Sequence, residues 1–165
     1  MAAGREEVRV GRIIACFAPG SAVAPRAIAH LAQQMQAELL GLFIEDVELL
    51  RFAALPFAAE VGFPSAARRT VDLAAVERAL QGQAAALRQT LAASLGSQTW
   101  SFRVARATPA DAVAAALAEG YAPALLIPPR ANLHAERRVL RRPGLTDEQL
   151  RALIAATRPV LILPE

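Results

Sequence analysis

Four apolar runs in this chain lack the in-out alternation of a strand with one wet face. Residues 12–18 (RIIACFA), 39–44 (LLGLFI), 124–127 (ALLI) and 160–163 (VLIL) are short, rich in strand formers and apolar at nearly every position. Strands buried on both faces read this way, and parallel strands covered by helices are the usual case. Amphipathic stretches separate the runs. The first is followed by a Pro19-Gly20-Ser21 turn and a helical pattern to about Ala37, so the opening unit is strand, helix, strand.

The remaining segments extend this alternation. Leu73, Val76, Leu80, Ala84, Leu87, Leu91 and Leu95 recur at three- and four-residue steps, which predicts one long helix with a single apolar face. Thr70 is its expected N-cap, Asp72 suits its first turn, and Gly96 suits its end. Residues 99–105 alternate, with Trp100, Phe102 and Val104 on one side, so a half-exposed edge strand is predicted. Thr108-Pro109-Ala110-Asp111 reads as a helix start, and Thr146-Asp147-Glu148-Gln149 as a capping box. Residues 47–63 predict a short helix broken at Pro56 and then an irregular stretch; the acidic, apolar segment 46–63, with its Phe52, Leu55 and Phe57, is expected at a subunit contact or across a ligand cleft. The expectation is one α/β domain over 1–165, an open, doubly wound parallel sheet of five strands, with residues 1–10 a flexible N-terminus.

Charge is polarised along the chain. All 18 basic side chains are arginine, and the net charge is +3. Residues 38–60 carry five acids against Arg51, whereas residues 130–142 carry five arginines against Glu136. A net charge of this size argues against whole-surface attraction to nucleic acid. The single Cys16 allows no intramolecular disulfide. No signal-like segment opens the sequence, and no apolar run approaches the ~20 residues of a membrane span. A cytoplasmic protein without membrane contact is expected.

The chain resembles the universal stress protein family. The resemblance rests on residues 12–16, on 38–44, on Thr108-Pro109-Ala110-Asp111-Ala112-Val113, and on Arg158-Pro159-Val160-Leu161-Ile162, in that order and spacing. It implies the family's five-stranded sheet, of the adenine nucleotide alpha hydrolase-like type. It also implies a role in stress response and a homodimer formed by antiparallel pairing of the last strand, through Val160, Leu161, Ile162 and Leu163. Some members bind ATP, using an aspartate at the end of the first strand and a glycine-rich loop, G-x2-G-x9-G-[S/T], after the fourth. Here the first position falls at or near Ala18. The second begins Pro128-Pro129-Arg130, with Gly144 its only glycine before the next helix. A phosphate cradle needs backbone N–H donors, which proline lacks. This chain is therefore expected to be a member without the glycine-rich loop and without a bound cofactor, ATP being the alternative.

Candidate site residues are few. The turn after the first strand lies where open α/β sheets bind ligands, which singles out Ala18, Gly20 and Ser21, with Arg130 from the facing loop; a plain tight turn is the favoured reading. His30 falls on the exposed side of the first helix, His134 lies in the arginine-rich linker, and Cys16 sits inside a strand, so no catalytic set and no metal site is expected. Glu45-Asp46 reads as a solvated strand end. Residues 130–142 read as a loop or short basic helix packed through Leu133, Val139 and Leu140. The leading functional expectation is a non-catalytic, homodimeric binding or regulatory module with a protein partner or small anionic ligand. The alternatives are an adenine-nucleotide or other anion binder using the first turn and linker arginines, and an RNA-binding protein.

Overall fold

The computed structural model describes residues 8–21, 23–55, 59–61, 68–70 and 72–164. Its elements, in chain order, are β1 (Arg12–Phe17), α1 (Pro25–Met35), β2 (Glu38–Asp46), α2 (Val47–Ala53), β3 (Ala59–Val61), β4 (Arg68–Thr70), α3 (Leu73–Leu95), β5 (Trp100–Ala107), α4 (Pro109–Ala118), β6 (Ala124–Ile127), β7 (Arg138–Arg141), a 3-10 turn (Arg142–Gly144), α5 (Asp147–Ala155) and β8 (Val160–Leu163). The main sheet has six strands in the order β5-β2-β1-β6-β8-β7. Strands β5, β2, β1 and β6 run parallel, β8 pairs antiparallel with β6, and β7 lies parallel to β8.

The four unalternating runs are all interior strands, as their pattern requires. Ile13, Ala15, Phe17, Leu39, Phe43, Leu125 and Ile127 pack with α1 and α3 on one face. Ile14, Cys16, Leu40, Leu42, Ile44, Leu126, Val160 and Ile162 pack with α4 and α5 on the other. Gly41 lets α3 approach the sheet closely: a Cβ there would stand 3.0 Å from Leu91 and 3.1 Å from Phe102. Strand β5 is an edge, as its alternation predicts. Thr108 caps α4, its Oγ1 accepting from Asp111 N–H, and the Thr146–Gln149 capping box opens α5.

Several expectations are corrected. The sheet has six strands, and the last is antiparallel to its neighbour β6. Strand β8 is interior: Val160, Leu161 and Ile162 have strand partners on both sides and Leu163 pairs with Arg141 of β7, so the strand is not the free edge that pairing with a symmetry mate needs. Val160 and Ile162 are buried in the core, with Leu161 partly buried against its opposite layer. The missing strand is β7, inside the segment expected as a loop or helix; only Leu140 of its four residues is sheltered, which leaves no periodic signal. Leu133 and Leu140 pack on the core as expected, but Val139 is exposed. The cap of α3 is Asp72, whose carboxylate accepts from Ala74 N–H at 3.0 Å, and Thr70 belongs to β4. The stretch expected to be irregular holds β3, which pairs antiparallel with β4 beyond it. Phe57 and residues 1–7 lie outside the described residues, while Val10, assigned to a flexible terminus, is buried.

Candidate functional site

Parallel strands put their carboxyl ends on one side, and the chain leaves β1 toward β2 but reaches β6 on the opposite flank. The loops after β1 and β6 therefore diverge, and the crevice between them is the standard ligand position in open α/β sheets. A cleft of about 800 Å³ occupies that place. Its walls come from the turn after β1 (Ala18, Pro19, Gly20, Ser21), the end of β2 (Ile44, Asp46), α2 (Glu48, Leu49), the start of α4 (Thr108, Pro109, Ala110), the turn after β6 (Pro129, Arg130) and α5 (Arg151, Ile154, Ala155), with Leu80 of α3.

All four candidates, Ala18, Gly20, Ser21 and Arg130, line this one cleft. Gly20 has φ +75°, a left-handed conformation that turns the chain sharply away from the strand. Ser21 does not cap α1: its N–H donates to Ala18 O at 3.0 Å, and its hydroxyl donates to Pro129 O at 2.8 Å. That hydroxyl ties the turn after β1 to the turn after β6 across the crevice mouth. The start of α1 has no side-chain cap.

The acidic pair divides. Glu45 is buried, not solvated, and accepts from Arg106 Nε at 3.1 Å; Arg106 also reaches Glu77 at 3.5 Å. Asp46 caps α2 by accepting from Glu48 N–H at 2.9 Å, and it also borders the cleft. Two arginines line the same cleft as Asp46, Arg130 and Arg151, and neither makes an ion pair among the described residues. At the start of α4, Thr108 Oγ1 already holds one N–H and Pro109 has none, so that helix end contributes little to anion binding.

No family model and no curated protein matches this chain.

The other chemical candidates lie outside the cleft lining. Cys16 is fully buried, and burial pushes its thiol up to about 12, which keeps it unreactive. His30 and His134 are exposed, the backbone N–H of His134 donating to Asn132 Oδ1. Among the described residues no three His, Cys, Asp or Glu groups gather as a metal set, and no helix is long and apolar enough to cross a membrane. The segment 46–63 was expected at a subunit contact or across a ligand cleft, and its Asp46, Glu48 and Leu49 line this one, whereas Thr108 and Arg151 were missed as cleft residues. A signal existed for Thr108, which opens a helix directly after a parallel strand. None existed for Arg151, whose position depends on how α5 docks.

Proposed function

We propose that this chain is a non-catalytic binding or regulatory module of the universal-stress type, cytoplasmic and homodimeric, which holds a small ligand in the cleft at the strand carboxyl ends. The observation that carries this reading is an open cleft of about 800 Å³ at the switch point. Its lining favours holding over reaction. The one hydroxyl of the first turn is committed to Pro129 O, and Cys16, His30 and His134 stand elsewhere. The homodimer rests on the family resemblance alone and needs a contact other than β8. A solution mass near 35 kDa, twice 17.5 kDa, supports it, and a monomer mass rejects it.

Arg130 and Arg151 favour a second reading, in which the ligand carries an anionic group, as an adenine nucleotide does. Pro128 and Pro129 supply no N–H donors, so side chains rather than a backbone cradle would hold one phosphate, and AMP suits the cleft better than ATP. Calorimetric titration with AMP, ATP and cyclic AMP tests this. Binding tighter than ~10 μM that is lost in Arg130→Ala supports it, and absence of heat with all three rejects it. Specific ATP hydrolysis by the purified chain, abolished by a Gly20 substitution, would overturn the non-catalytic reading itself.

A further inference from the structure

Near the amino ends of β1 and β6, away from the cleft, two arginines pair with one carboxylate and a third binds the next residue's carbonyl. Arg12 Nη1–H donates to Ala116 O at 3.1 Å, and its Nη2–H donates to Glu119 Oε2 at 3.2 Å. Arg103 forms a two-pronged pair with Glu119, with Nη2 to Oε2 at 3.0 Å. Arg142 Nη1–H donates to Gly120 O, and its guanidinium lies over the Tyr121 ring, 5.6 Å from the centroid. Positive charge therefore exceeds negative within this cluster, and the carbonyls at the end of α4 offset only a fraction of the excess.

Between Arg12 and Arg142 lies a cavity of about 30 Å³, whose other walls are mainly Ile14, Leu117, Ala122 and Ala124. The Nε–H groups of Arg12 and Arg142 are both buried and have no acceptor among the described residues. Buried donors of that kind are costly without a partner, and a charged donor more so. What the cavity offers is two N–H donors, a local excess of positive charge and a wall of mainly apolar side chains.

We propose that this cavity is a binding site for a monatomic anion, chloride in the cell, held between Arg12 Nε–H and Arg142 Nε–H. Its volume, about 30 Å³, is close to one water molecule's share of the liquid, ~30 Å³, a size that suits a monatomic ion. The two arginines that line it disfavour a cation. An uncharged water would satisfy both donors but leave the charge excess in place, so the site selects an anion over water.

Thermal unfolding of the full chain tests the proposal, with sodium chloride exchanged for sodium gluconate at constant ionic strength. A ligand that binds only the folded state raises the midpoint in a saturable way. The midpoint is expected to rise and level off with chloride, bromide is expected to reproduce the rise, and gluconate is not. Arg142→Met is expected to weaken the halide response at least about tenfold in half-saturating concentration, while Arg130→Met, in the distant cleft, keeps it. If Arg142→Met does not fold, Arg142→Lys, which keeps the charge and loses Nε, serves the same purpose. Equal midpoints in chloride and gluconate would overturn the proposal and assign the cavity to water. A halide response that survives in both Arg142 variants, or that disappears in Arg130→Met, would overturn it as well.

Discussion

At φ +75° Gly20 holds a backbone conformation that side chains disfavour, yet a Cβ there would meet nothing within 4 Å. Gly20→Ala is therefore expected to cost about 1–2 kcal/mol through backbone strain alone, without a clash, and to disturb the Ser21–Pro129 tie beside it. Chemical denaturation checks the size; a loss below ~0.3 kcal/mol would mean that the turn relaxes freely. Glu119 gives a pH signature. Its hydrogen bond to Arg103, helped by that of Arg12 and by both charges, holds its carboxyl below the ordinary range against the opposing effect of burial. A carboxyl depressed on folding contributes stability that is complete above its unfolded value and lost as pH falls through its folded value. Glu119→Gln is accordingly expected to flatten the acid limb of the stability–pH curve, by a small amount because solvent screens the exposed pair. An unchanged acid limb would show that the pair contributes nothing. Of the residue-level features, the caps at Thr108 and Thr146 were legible in the sequence because capping chemistry is local. The pairing of Glu45 with Arg106 was not, because it joins residues 61 positions apart.

Among the elements, the capping box of α5 supports the helix that carries Arg151 into the cleft wall. Thr146→Ala is expected to cost about 1 kcal/mol and to fray α5 from its start, which amide exchange over 147–150 detects. Protection that stays at the wild-type level would show that tertiary packing alone holds this turn. For β8 the consequence of its interior place is sharper. Charged replacements at Leu161 or Ile162 are expected to destabilise or unfold the chain rather than to separate folded subunits from one another, since each side chain packs into a core layer. A folded variant that changes only from dimer to monomer would restore the terminal-strand interface. The contrast between β8 and β7 explains what the sequence did and did not reveal about the sheet. Apolar density marked β8 as a buried strand but carried nothing about its direction or neighbours. Strand β7, with Arg138, Val139 and Arg141 exposed, looks like a basic linker until β8 gives it a partner.

For the whole molecule, the alternation of apolar runs and amphipathic helices gave away the two-layered α/β core and, with it, where a ligand cleft must fall. Ala18, Gly20, Ser21 and Arg130 were found because two loops flank every switch point. The α2 wall was anticipated from the apolar excess of residues 46–63, but the α5 wall was not, because it depends on helix docking. The central claim is that this cleft binds a small molecule and does not transform it. The most direct test is a two-dimensional amide spectrum of the labelled chain titrated with a library of small aromatic and carboxylate fragments, with each fragment's own signals followed in the same tube. Shifts are expected to cluster at Ala18, Gly20, Ser21, Asp46, Ala110, Arg130 and Arg151 while the fragments stay chemically unchanged. Fragments that leave those amides unmoved throughout the library, or that bind there and are converted, would contradict the account.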